Sequence, residues 1–207
     1  PYTYLSENIK ISRAQDILTA LDIDSSKIIP FKVSMSENRS EAVEVYKDVA
    51  LQIEDAYKLG YKIAITAEGD AGIYSSSYYI NEILTTKNIP VERIAGIPAF
   101  IACAASHKIP VSKQRETIGI ITHFSSVEEL KFKTEEYDTL ILMKASQYES
   151  VIKDAIKSFV NMTFHYFENS GVSEKEFYST NREEILERKF PYFSLIIIQP
   201  LPLTLNP

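Results

Sequence analysis

The chain is predicted to be α/β, with two α/β domains, on three observations. Short apolar segments alternate with helix-patterned segments along the first half, the signature of a parallel, doubly wound sheet. The alternation then restarts after Ile109-Pro110-Val111-Ser112, giving expected domains over 1–110 and 111–207, each near the usual size of about 100 residues. Finally, the apolar run Lys62–Thr66 stops at Glu68-Gly69-Asp70-Ala71-Gly72, just ahead of an Ile-Tyr-Ser-Ser-Ser stretch. A strand that breaks at glycine before a helix makes a ligand cradle. Glycine lets a ligand approach the backbone, and the helix start turns unpaired N–H groups toward the open end of the sheet.

The elements follow in order. A helix is expected from Ser12, its N-cap, through Leu18. Ile28–Val33 reads as a strand, and Pro30 places it at an edge or a strand start. From Ser40 to Leu59 apolar residues recur at helical spacing, and Gly60 ends the helix. The strand Lys62–Thr66 and the glycine turn precede a helix over Ile73–Thr86. A short strand is expected at Val91–Ile94 and a short helix over Pro98–His107, with proline near its first turn. In the second half, strands are expected at Thr117–Thr122, Thr139–Met143, Met162–Phe167 and Phe193–Ile198. Helices are expected at Val127–Glu136, Tyr148–Phe159 and Arg182–Arg188. The tail from Pro200 reads as extended.

Composition narrows the class. Among 207 residues, 45% are hydrophobic and 24% charged, enough apolar surface for one large core or two small ones and too much for a disordered chain. The formal net charge is −6, and no basic patch beyond Lys131-Phe132-Lys133 is visible, which argues against nucleic acid. No apolar run approaches the ~20 residues that span a bilayer, and no signal peptide opens the chain. The expected location is cytoplasmic, with no membrane partner. The single cysteine, Cys103, sits among small apolar residues and reads as a buried thiol. The three histidines, His107, His123 and His165, have no zinc-ligand spacing, so no metal is expected.

Glu68-Gly69-Asp70-Ala71-Gly72-Ile73-Tyr74-Ser75-Ser76 resembles the Gly-Asp-Pro loop of the S-adenosylmethionine-dependent tetrapyrrole (corrin/porphyrin) methylases. Ala95-Gly96-Ile97-Pro98-Ala99-Phe100 resembles their Pro-Gly-Val/Ile-Ser/Thr-Ser/Ala segment. Tyr137–Lys144, Pro191–Leu195 and the Tyr-Ser-Ser after the loop are similar to the branch that methylates C20 of precorrin-2 or cobalt-factor II. Two departures stand out: Ala71 and Ala95 occupy positions where proline is usual. The family's opening Gly-x-Gly-Pro-Gly-Asp-Pro loop is not in the sequence, which lacks an initiator Met and is expected to begin just beyond that loop.

The resemblance implies two domains of tetrapyrrole methylase type with the cofactor, S-adenosyl-L-methionine, in the cleft between them. The product is S-adenosyl-L-homocysteine. By position, Glu68, Gly69, Asp70 and Ile73 would contact the cofactor from the first loop, and Pro98 and Ala99 from the second. Met143 and Gly171 would close over it, most contacts being main-chain. The family also implies a homodimer and a tetrapyrrole substrate.

The residues leave several roles open. Asp70 is suited either to the cofactor's ammonium, by a charge-assisted hydrogen bond, or to an N-cap near Ile73. Met143 fits a core position as well as a ligand position. A polycarboxylate macrocycle needs local basic groups at the mouth of an acidic protein. Arg13, Arg39, Lys113 and Arg115 are candidates, each also an ordinary surface charge. Tyr74 is a candidate to stack on the macrocycle, or to pack with Tyr78 at i, i+4. Ser75 is a candidate donor to carboxylates, or satisfies the helix start. No residue is assigned as the base that removes the C20 proton. The alternatives are a methylase of the same fold acting on diphthine or ribosomal RNA, the latter disfavoured by the acidic balance, and an inactive ligand-binding relative.

Overall fold

The computed structural model describes residues 2–6, 13–33 and 39–201, with side chains over 14–31 and 41–201. By contacts the chain divides into two units, Pro1–Pro98 and Ala99–Pro207, whereas the sequence-based boundary lies at 110/111.

In the first unit, β1 (Tyr2–Ser6), α1 (Arg13–Ala20) and β2 (Ile29–Val33) form one parallel unit, with Tyr2 opposite Ile29 and Ser6 opposite Val33. The long helix α2 (Arg39–Lys58) buries Ala42, Tyr46, Val49, Ala50 and Ile53. That i, i+4, i+7 stripe is what the sequence periodicity required. Gly60, at φ +84°, carries the chain past the helix end, where its N–H donates to the Tyr57 carbonyl. Helix α3 (Ser77–Thr86) adds Ile80 and Leu84 to the same core.

Two strands expected in this unit do not form. Residues 62–66 carry no strand: half-buried Ile63 and Ile65 alternate with exposed Lys62 and Ala64, but only Ile65 makes a bridge. Residues 91–97 are exposed throughout and carry no strand. A strand exists only where a neighbouring backbone takes up its N–H and C=O groups. Apolar alternation reports burial and not pairing. Among the described residues the first unit therefore holds the β1–β2 pair in place of a wider doubly wound sheet.

The second unit opens with α4 (Ala99–Ser106) and continues through β3 (Ile118–Ile121), α5 (Val127–Glu136), β4 (Thr139–Leu142), α6 (Glu149–Ser158), β5 (Met162–Glu168), β6 (Phe177–Ser179), α7 (Arg182–Glu187) and β7 (Ser194–Pro200). Its five strands lie in the order β3-β4-β7-β5-β6. Only β3 and β4 are parallel; β7 runs antiparallel to both β4 and β5, and β6 to β5. β4 is buried at every residue, as a central strand covered on both faces must be. Leu140, Leu142, Phe164, Tyr166, Ile196 and Ile198 meet Leu130 of α5 and Ile152 and Ile156 of α6 in one core.

Local signals fix these ends. Ser126 Oγ accepts from the Glu129 N–H at 3.2 Å, and the Glu129 carboxylate accepts from Ser125 N–H and Oγ, both at 2.8 Å. This reciprocal capping starts α5. Asn181 Oδ1 does the same for α7, accepting from Glu183 N–H at 2.9 Å. No helix among the described residues is long and apolar enough to cross a membrane.

Candidate functional site

The Glu68–Ser75 loop is built by two departures from ordinary backbone geometry. Gly69 lies at φ +70° and Tyr74 at φ +53°, so the chain reverses twice before α3 begins. The first reversal suits glycine. The second puts a tyrosine in the left-handed region, uncommon for a bulky side chain. It also explains why the helix expected from Ile73 starts only at Ser77: a left-handed residue cannot continue a right-handed turn. Ser75 Oγ then lies 2.8 Å from Ser77 Oγ and accepts from the Ser77 N–H at 3.3 Å.

Asp70 sits at the centre of this loop. Its Oδ1 accepts from the Gly72 N–H and its Oδ2 from the Gly96 N–H, both at 2.7 Å. These two amides, Gly96 first, with the Arg93 guanidinium nearby, hold the carboxyl below the usual carboxylate range. The N-cap role expected near Ile73 does not arise, because no helix starts there; the Ile73 N–H donates instead to the main-chain oxygen of Asp70 at 3.2 Å. A Cβ at Gly96 would stand 2.1 Å from the Gly69 carbonyl oxygen, and one at Gly72 would stand 2.9 Å from Asp70 Oδ1. Only glycine permits both approaches.

The first unit thus brings Gly69, Asp70 and Ile73 together with the 95–98 segment. Glu68, Ile73 and Pro98 are half-buried, and Gly69 is exposed. Tyr74 is 51% and Tyr78 47% exposed, so the expected i, i+4 core pair does not form. Tyr78 donates to Glu82 at 2.5 Å, while Tyr79 stacks on Tyr46 with centroids 5.2 Å apart. Arg13 and Arg39 are the first residues of α1 and α2, and their side chains lie outside the described residues, as does Ser12. Gly96 and Arg93 were missed as site residues. Gly96 lay in plain view before Ile97-Pro98, but its partner is 26 positions away and no spacing rule connects them.

In the second unit, Ala99 opens α4 and is exposed. Met143 follows β4, half-buried, its N–H donating to the Ile121 carbonyl at 2.9 Å. Lys144 then turns at φ +57°. Gly171 is exposed at φ +82°, with open space where a Cβ would project. Cys103 is buried, and its Sγ lies 3.0 Å from Ser170 Oγ; burial raises the thiol pKa, as expected for a structural cysteine. Lys113 and Arg115 are exposed. Among the described residues no cluster of His, Cys, Asp or Glu would hold a metal ion.

Known proteins place the chain in a family. The family model described as Tetrapyrrole (Corrin/Porphyrin) Methylases matches residues 9–186, and the chain belongs to that family. It is 31% identical over 117 residues to a protein of Methanocaldococcus jannaschii named probable cobalt-precorrin-2 C(20)-methyltransferase, covering 55% of this chain and 49% of that one. The match therefore spans about half the length of that relative. It is 22% identical over 165 residues to the cobalt-precorrin-2 C(20)-methyltransferase of Salmonella typhimurium, covering 79% of this chain and 69% of the other.

Solved structures agree on the fold. A cobalt precorrin-4 methyltransferase, described as a cobalamin biosynthetic enzyme, superposes with a TM-score of 0.59 at 12% identity, over 95% of this chain and 82% of its own. The uroporphyrin-III C-methyl transferase of Thermus thermophilus, complexed with S-adenyl homocysteine, gives a TM-score of 0.60 at 11% identity, over 96% and 84%.

Proposed function

We propose that this protein is an S-adenosylmethionine-dependent C-methyltransferase of cobalamin biosynthesis, acting at C20 of precorrin-2 or cobalt-factor II. The observation that carries the reading is the Glu68–Ser75 loop, a glycine-opened turn around a charged carboxylate, in a chain of the tetrapyrrole methylase family. Both relatives named for C20 methylation of cobalt-precorrin-2 support the particular acceptor.

The donor set fits the cofactor. Gly69 and Gly72 leave main-chain groups exposed beside an acid, and such groups suit an adenine and an amino-acid tail. Glu68, Gly69, Ile73 and Pro98 would hold it from the first unit, with Asp70 contributing its main chain; Ala99, Met143 and Gly171 are the second unit's contributors. When bound, the cofactor supplies an electrophilic methyl on a cationic sulfonium. The chain's own task is orientation, because the leaving sulfur departs neutral and the acceptor carbon is electron-rich. Alignment of two reactants is worth up to about 7–11 kcal/mol of barrier. Arg13, Arg39, Tyr74 and Ser75 are proposed to meet the macrocycle and its carboxylates. The protein is further proposed to work as a homodimer in the cytoplasm, without nucleic-acid or membrane partners.

Isothermal titration with S-adenosylhomocysteine, followed by incubation with S-adenosylmethionine and sirohydrochlorin with and without cobalt, tests this. The expected result is binding, and one added methyl on the tetrapyrrole by mass spectrometry. Binding without methylation of either form would assign the chain a different acceptor. Absence of binding would make it an inactive relative.

A further inference from the structure

We propose that Asp70 is a positioning residue that fastens the 95–98 segment to the Glu68–Ser75 loop, and that it serves the cofactor through this fastening instead of touching the cofactor's ammonium. The inference rests on the cofactor reading above and assigns Gly96 as the second half of the device.

Three observations carry it. Both oxygens of the carboxylate are already engaged, Oδ1 by the Gly72 N–H and Oδ2 by the Gly96 N–H. An ionised acceptor makes such bonds short and strong. Arg93 stands on the same side, with Nη1 3.6 Å from the position of a Cβ on Gly72, so the charge has a cation as well. Second, the two backbones touch: the carbonyl of Gly69 occupies the space a side chain at 96 would need. Third, residues 91–97 are exposed along their whole length. Burial of apolar surface therefore does little to hold this stretch, and the hydrogen bond from the Gly96 N–H to the Asp70 carboxylate anchors it. The bridged positions are 26 apart in sequence, and the stretch between them includes all of α3. Without the bridge, Ile97 and Pro98 would be tethered to Gly69 and Ile73 only through that helix and its flanks.

Asp70→Asn and Gly96→Ala test the proposal in the intact protein, with S-adenosylhomocysteine and methylthioadenosine as probes. Methylthioadenosine has no amino-acid tail. If Asp70 positions the loops, both variants bind both probes about tenfold or more weakly, the size of one lost charge-assisted hydrogen bond. In turnover, KM for S-adenosylmethionine rises in both while kcat stays within about threefold. Amide exchange of the ligand-free protein should show faster exchange at Gly96 in Asp70→Asn. A penalty confined to S-adenosylhomocysteine and to Asp70→Asn would make Asp70 a direct ligand and overturn the proposal. So would unchanged exchange at Gly96. Failure of the wild-type protein to bind either probe would remove the cofactor reading, and this role with it. If Gly96→Ala does not fold, Asp70→Asn with the two probes and the exchange measurement still decides; if Asp70→Asn does not fold, equal weakening of both probes in Gly96→Ala supports the proposal and unchanged binding of both overturns it.

Discussion

The Arg188 guanidinium grips Glu168 with two parallel hydrogen bonds, Nε to Oε1 at 2.5 Å and Nη2 to Oε2 at 2.7 Å. Glu168 is 4% exposed and also accepts from the Tyr166 hydroxyl at 2.6 Å. Burial pushes its carboxyl up; Arg188 and Tyr166 together more than offset this and hold it below the ordinary value. The guanidinium further covers the Phe177 ring, 3.7 Å from its centroid. Glu168→Gln keeps the shape but removes the charge. It should destabilise the protein by about 2–4 kcal/mol, somewhat under the loss for a fully buried pair because Arg188 is partly exposed. Urea denaturation measures this, and an unchanged midpoint would mean that the pair adds nothing.

Gly119 of β3 has no space for a side chain. A Cβ there would stand 2.7 Å from the Tyr137 ring and 2.9 Å from Leu140 Cδ1. Gly119→Val should cost about 1–3 kcal/mol by overpacking, visible as a lower melting temperature. Tyr137→Ala should relieve part of that loss in the double variant.

Acid should weaken the first unit through Glu54. Lys58 and Lys87 both hydrogen-bond its carboxylate and draw its pKa down from 4.5 to about 2. A group with a depressed folded pKa contributes stability that is present above its unfolded value and lost as pH falls toward the folded one. The contribution should therefore be complete above about pH 4.5 and fade toward pH 2. In Glu54→Gln the melting temperature should lose that part of its acid dependence, which a pH series of thermal melts would reveal. A slope identical to wild type would contradict the assignment.

Gly69→Val should abolish S-adenosylhomocysteine binding in a folded protein. Its φ of +70° is strained for any side chain, above all a β-branched one, and the loop would have to be rebuilt. Retained affinity by titration, with an unchanged circular dichroism spectrum, would remove Gly69 from the site.

Much of the second unit was legible because its elements carry their own punctuation. Ser126 with Glu129 starts α5 where the sequence placed it, and the continuous apolar run Leu140–Leu142 is a fully buried strand. β6 went unread because three residues carry no periodicity; Phe177–Ser179 is a strand only by virtue of its partner Tyr166–Glu168. The strands expected at 62–66 and 91–94 failed for the converse reason, being patterned as strands but lacking a ladder. In the candidate site, the loop from Glu68 was visible through its glycines. The tie from Asp70 to Gly96 was not, because α3 separates the two and a carboxylate's choice between an adjacent helix start and a remote amide is made by the fold.

The place of β7 has a consequence for the growing polypeptide. Residues 194–200 enter between β4 and β5, so those two strands are joined only through β7, which is synthesised after both. A nascent chain that has emerged only as far as α7 presents Leu140–Leu142 and Phe164–Phe167 with bare facing edges, the geometry that invites association between copies. Maturation of this half is thus a zipper closed from its middle, and the interval before Ser194 appears is when it is most vulnerable to clumping.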